Sequence, residues 1–178
     1  KQNAEMRVRQ PVALSDADAD YVPLMMANYL IGSGGNSRLW IRIREKGGLS
    51  YGVESWVQWS SREPASLWQA YAIFAPTNRD KVEAALREEL ARALKDGFSA
   101  TELAQGKAGL LSFRQLSRSQ DGALAGTLAN NLDLGRGFDF AAKVDDAIGK
   151  LTLEQVNAAL RRHLKPESFV FGFAGDFK

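Results

Sequence analysis

Arg44-Glu45-Lys46-Gly47-Gly48-Leu49-Ser50-Tyr51 is the stretch that decides how this chain is read. A helix-like run carrying an arginine reaches two adjacent glycines and turns straight into a strand that opens on Leu-Ser-Tyr. Glycine ends helices because it enters the left-handed region without a Cβ penalty. Such a junction can hold a guanidinium and a phenol side by side at the mouth of a sheet. Just upstream, Ser37 to Lys46 has the spacing of a short helix with Leu39, Trp40 and Ile43 on its apolar side. Just downstream, Leu49 to Ser60 alternates with period two. Leu49, Tyr51, Val53, Val57 and Trp59 take one face; Ser50, Glu54, Gln58 and Ser60 take the other, with Trp56 on that polar face. After a turn around Arg62, Glu63 and Pro64, Leu67 to Ala75 reads as a second strand, and the two predict a hairpin.

Toward the N-terminus, Ala4 to Val12 alternates, with Met6, Val8 and Gln10 facing one way and Arg7 and Arg9 the other. It predicts a half-buried strand ended by Pro11. The acidic run Ser15, Asp16, Asp18, Asp20 predicts the opening of a helix, because carboxylates favour helix N-termini. Tyr21, Leu24, Met25, Asn28 and Tyr29 keep helical spacing up to Gly32, and Gly32-Ser33-Gly34-Gly35-Asn36 breaks the chain.

Toward the C-terminus, Asp80 to Asp96 is amphipathic, with Val82, Leu86, Leu90 and Leu94 stepping by four and Gly97 as the stop. Ser99-x-x-Glu102 predicts a capping box, stapled by Phe98 and Leu103, for a helix reaching about Arg118. Asp121 to Asn131 and Phe140 to Ile148 read as further helices around the breaks at Gly135 and Gly137. Thr152-x-x-Gln155 predicts a second capping box, stapled by Leu151 and Val156, for a helix that stops before Pro166. Phe169, Phe171 and Phe173 alternate in a closing strand. The fold class is α+β: a mostly antiparallel sheet covered on one face by a layer of helices. The chain carries no internal repeat, low-complexity tract or domain linker.

Bulk properties narrow the function. A length of 178 residues suits one domain with its own core. With 23 Lys and Arg against 21 Asp and Glu, a net charge of +2 argues for neither nucleic acid nor an anionic membrane surface as partner. No apolar run approaches the ~20 residues of a membrane helix. Without cysteine the chain can form neither disulfides nor thiolate metal sites. It begins at Lys1 rather than Met, so residues 1–178 are read as a single module from a longer, multi-domain chain.

Nearly the whole sequence resembles the C-terminal, non-zinc domain of the insulinase/pitrilysin family of zinc metallopeptidases, to which the mitochondrial processing peptidases are similar. The resemblance rests on an ordered set of pieces. These are Gly32-Ser33-Gly34-Gly35, Ser37-Arg38-Leu39, Ile43-Arg44-Glu45-Lys46, Gly48-Leu49-Ser50-Tyr51-Gly52, and Lys95-Asp96-Gly97 before Ser99 to Glu102. It implies a metallopeptidase-like α/β sandwich module and a share in peptide-bond hydrolysis inside an enclosed chamber. It also implies that Arg44 and Tyr51 bind substrate, and that Tyr51 serves catalysis by donating to the substrate carbonyl, whose oxygen becomes an oxyanion. The implied partners are a zinc-bearing domain or subunit of the same peptidase and a peptide or unfolded protein substrate.

The chain departs from the family's catalytic half. It has one histidine, His163, and no H-x-x-E-H motif, so it is expected to bind no cofactor itself, to be inactive alone, and to rely on zinc in the companion domain. The residues by themselves leave alternatives open. Arg44 can pair with Glu45 or another acid, and Tyr51 can be a core residue on the face of Leu49, Val53 and Val57. At the level of the whole protein, the alternatives are a catalytically inactive scaffold or partner subunit of the same family, or a free-standing peptide-binding module.

Weaker signals have simpler readings. Gly32-x-Gly-Gly-Asn-Ser fails both the dinucleotide pattern and the Gly-Lys-Ser/Thr ending of a phosphate loop, leaving a turn whose Asn36 or Ser37 caps the next helix. His163, beside Arg161, Arg162 and Lys165, is expected at a solvated helix end. Arg38, Arg42 and Lys46 step along one helix face, read as solvated. Trp56 is expected at a domain interface or the wall of a substrate chamber. The absent cysteines and the style of the motifs lean toward a periplasmic location.

Overall fold

The computed structural model describes residues 3–177. Four antiparallel strands form the sheet: β1 (Ala4–Val12), β2 (Gly52–Gln58), β3 (Ser66–Phe74) and β4 (Val170–Ala174), in the order β2-β3-β1-β4. The hairpin expected at residues 49–75 is present, with Val53 opposite Ala72 and Val57 opposite Trp68. Pro11 does not end β1; it sits opposite Leu67, and the strand runs on to Val12. The reason is local. β4 pairs with β1 only from Glu5 to Arg9, so at Pro11 one side of the strand has no neighbour that needs an N–H.

Six α-helices lie on one side of the sheet: α1 (Tyr21–Asn28), α2 (Arg79–Asp96), α3 (Ala100–Arg118), α4 (Asp121–Asp133), α5 (Asp139–Lys150) and α6 (Leu153–His163). α1 and α2 rest on the strands, α6 packs against both, and α3 and α5 flank α1. The core lies between the layers, with Met6, Val8, Val53, Trp68, Ala70, Ala72 and Phe74 from the sheet meeting Leu24, Leu86, Leu90, Val156 and Leu160 from the helices. Strand alternation sends Arg7, Glu54, Trp56 and Tyr71 to the opposite, open face. There the Arg7 guanidinium, paired with Glu5, lies 5.3 Å from the Tyr71 ring centroid.

Both capping boxes form as the sequence predicts, at Ser99/Glu102 and Thr152/Gln155. The acidic run before α1 behaves differently. No carboxylate lies in the first turn of that helix. Asp16 instead holds Arg136, Asp18 accepts from the Ser15 N–H and hydroxyl, and Asp20 holds Arg162 and His163. Specific donors, distant ones for Asp16 and Asp20 and the nearby Ser15 for Asp18, outcompete a diffuse dipole.

Candidate functional site at the Arg44–Tyr51 junction

Two segments around the site wind more widely than an α-helix. α1 continues through Tyr29–Ser33, and a second helix covers Trp40–Glu45; in each, N–H groups reach back five residues. Gly34 donates to the Tyr29 carbonyl at 2.8 Å and Lys46 to the Ile41 carbonyl at 2.9 Å. Such π-helical turns are rare, and they concentrate at functional sites. The second helix buries Leu39 and Ile43 and leaves Arg44 exposed.

The exit from this helix is built by glycine. Gly48 has φ +57°, and Leu49 donates to the Ile43 carbonyl across the turn at 2.9 Å. A Cβ on Gly47 would stand 2.7 Å from the Arg42 carbonyl oxygen, so only glycine fits there without a shift. Ser50 then fixes the entry to β2. Its buried hydroxyl lies within 2.7 Å of the Gly52 carbonyl and 2.8 Å of the Ile73 carbonyl, and it accepts from the Gly52 N–H. The Tyr51 N–H donates to Ile73 at 2.8 Å, so the tyrosine's backbone is pinned to β3 while its side chain is 63% exposed. That exposure separates Tyr51 from the core formed by Val53 on the same strand.

Arg44 and Tyr51 are directly linked. The guanidinium Nε donates to the Tyr51 carbonyl at 3.0 Å, and the group stacks 4.5 Å from the Trp40 ring centroid. Glu45 does not pair with Arg44; it accepts from the Trp40 indole at 3.1 Å. Among the described residues no carboxylate pairs with Arg44. One donor is thus spent on a neutral acceptor, the Tyr51 carbonyl.

A buried hub holds the junction from beneath. The Asn28 carbonyl oxygen accepts from the Trp68 indole at 3.0 Å and the Ser55 hydroxyl at 2.8 Å, and its NH2 donates to the Ser55 carbonyl at 3.2 Å. This ties α1 to β2 and β3. Gly32 brings the π-helical turn against β2, where a Cβ would collide with Ser55 Oγ at 2.3 Å. Beside the junction, Gly32 to Gly35, Trp40, Gly52, Glu54 and Tyr71 enclose a cleft of about 240 Å³. The hub and the Trp40 stack were not singled out from the sequence. Their one trace is a polar Asn28 within the apolar stripe of Leu24, Met25 and Tyr29.

The other charged positions are structural. Arg38 is not solvated: only 15% exposed, it makes two bonds to Glu102 at 2.7 and 3.0 Å, one to the Gly97 carbonyl at 2.7 Å, and stacks over Phe98. Burial works against ionisation of Glu102, but Arg38 and the Ser99 N–H and hydroxyl outweigh it and hold its pKa at about 2. His163 is likewise not solvated. Its side chain is 15% exposed and its Nε2 meets Asp20 at 2.7 Å, because β1 and α1 bring that carboxylate to the end of α6. A zinc site of the peptidase type does not fit these residues. The single histidine is engaged by Asp20, there is no cysteine, and the described residues hold no cluster of three or more His, Cys, Asp or Glu placed to bind a metal.

The fold is an antiparallel sheet under one helical layer, with an Arg–Gly–Gly–Tyr junction at its rim. The peptidase M16 inactive domain model matches residues 2–110, and the chain belongs to that family. It is 22% identical over 168 residues to the non-peptidase homolog YmxG of Helicobacter pylori, across 94% of this chain and 38% of that protein. The peptidase M16 inactive domain from Pseudomonas fluorescens shares the fold, with TM-score 0.82 and 23% identity over 98% of this chain and 41% of that one. So does the periplasmic protease PqqL from Escherichia coli, with TM-score 0.72 and 19% identity over 97% of this chain and 19% of that one. The chain spans under half the length of these relatives.

Proposed function

We infer that this chain is the substrate-clamping, non-zinc module of a longer zinc-dependent metalloendopeptidase, and that zinc is held by a companion domain or subunit. The observation that carries the reading is the Arg44–Tyr51 pair: both residues are exposed, the arginine Nε donates to the Tyr51 backbone carbonyl at 3.0 Å, and no carboxylate among the described residues pairs with the arginine. A buried core does not account for an exposed phenol whose backbone is fixed by Ser50 and Ile73.

Peptide hydrolysis builds negative charge on the scissile carbonyl oxygen. A preorganised phenol aimed at that oxygen lowers the barrier, and Tyr51 takes this role. Arg44 grips a backbone carbonyl or carboxylate of the same peptide through the free side of its fork. Trp40 and the Tyr51 carbonyl limit the rotamers of that guanidinium before substrate arrives, which lowers the ordering cost of binding. Residues 1–178 act as one module, and the peptide lies between it and the companion domain, with Trp56 on the open face at the wall of the chamber. The fold shared with PqqL favours a periplasmic setting.

A second reading has its own support. The relative YmxG is a non-peptidase homolog, so this chain fits equally within a scaffold or partner subunit that no longer cuts. Substitution of Arg44 in the full-length protein separates the two. On the clamp reading, Arg44→Ala weakens binding of an extended peptide at least tenfold while the melting temperature moves little. On the scaffold reading, peptide binding is absent or unchanged.

A further inference from the structure

We propose that Glu54 makes the cleft beside the clamp a subsite for a lysine or arginine side chain of the bound peptide. The proposal rests on the clamp reading and deepens it by naming the substrate class.

The cleft is walled by Trp40 and Tyr71, floored by the glycine loop 32–35 and by Gly52, and carries one carboxylate, Glu54. Glu54 stands directly across from Tyr71 on the hairpin. Burial, and after it the neighbouring Glu54 carboxylate, push the Tyr71 pKa up, as expected for a phenol beside an acid. No cation among the described residues is ion-paired with Glu54. The two nearby arginines have partners of their own: Arg7 pairs with Glu5 and lies 5.3 Å from the Tyr71 ring centroid, and Arg44 is held by the Tyr51 carbonyl and the Trp40 ring. An exposed carboxylate without an ion pair, in a cleft lined by aromatic side chains, suits a long aliphatic stem ending in a cation. The stem lies along the cleft and the charged head reaches the acid.

The cleft's size is set by missing side chains. A Cβ at Gly35 or Gly52 would meet nothing within 4 Å, and neither glycine has a positive φ. Those positions therefore tolerate a side chain in the fold, and their being glycine leaves room for a guest. Gly52 directly follows Tyr51, so a peptide gripped at the junction passes this opening within one or two residues.

The test uses the full-length protein and three extended peptides that differ only by lysine, norleucine or glutamate at successive positions, with affinity read by fluorescence anisotropy. The lysine peptide is expected to bind about fivefold tighter than the norleucine peptide at one position. Glu54→Gln should erase that difference, Glu54→Lys should turn it toward glutamate, and Gly52→Leu should weaken the lysine peptide by filling the cleft. Retention of the lysine preference in Glu54→Gln overturns the subsite. Arg44→Ala distinguishes the two levels. If it weakens all three peptides while Glu54→Gln changes nothing, the clamp stands and the subsite fails; if it weakens none, both fail.

Discussion

Arg38 and Arg44 lie six residues apart around one short helix, yet their surroundings are opposite. Arg38 points into the protein, where Glu102, the Gly97 carbonyl and the Phe98 ring take up its fork. Arg44 stands at the surface, held only by a carbonyl and an indole face. An arginine bonded to a carboxylate and a carbonyl of another segment fastens two elements together, here the Arg44 helix and the α2–α3 turn. An arginine held by neutral groups keeps its charge for something outside. The helix thus has a buried-facing end at Arg38 and an exposed end at Arg44.

The contrast can be broken by exchanging the effects. Asn28→Ala should show the largest stability loss, about 2–3 kcal/mol, because it strands the Trp68 indole and the Ser55 hydroxyl in the core. Equilibrium denaturation measures it. Arg38→Ala should cost about 2 kcal/mol by leaving Glu102 without its charged donor. Arg44→Ala, in the same assay, should cost no more than about 1 kcal/mol, the worth of an exposed stacked cation. Equal losses at Arg38 and Arg44 would erase the distinction.

The pH dependence sharpens it. Glu102 has its folded pKa lowered from 4.5 to about 2. Its contribution is therefore complete above about pH 4.5 and is lost as pH falls toward 2. Stability measured through that window should decline in the native protein and decline less in Glu102→Gln. The smallest effect belongs to Arg62, whose pair with Asp133 is 70% exposed at both partners. Arg62→Ala should change stability by less than about 0.5 kcal/mol, and less still at high salt.

Much of the fold was legible because the strongest signals are local. The alternation of Leu49 to Ser60 and Leu67 to Ala75, and the two capping boxes, place elements through contacts a few residues apart. The failures are long-range. Asp16, Asp18 and Asp20 looked like helix-opening acids, but Arg136 and Arg162 reach two of them from more than a hundred residues away. Arg38 and His163 looked solvated for the same reason: nothing in their neighbourhood announces Glu102 or Asp20. The turn that joins Arg44 to Tyr51 was legible because glycines and a serine, all within nine residues, build it. The Trp40 stack and the Glu54 cleft depend on how the π-helical turns settle on β2, which no periodicity encodes.

The most direct measurement is kcat/KM for an extended peptide with the full-length protein carrying Tyr51→Phe, at a matched folded fraction. The account predicts a fall of about 100-fold or more, the usual cost of removing one preorganised donor to a developing oxyanion. A value within twofold of the native protein would contradict it and leave the Arg44–Tyr51 rim without a role in cleavage.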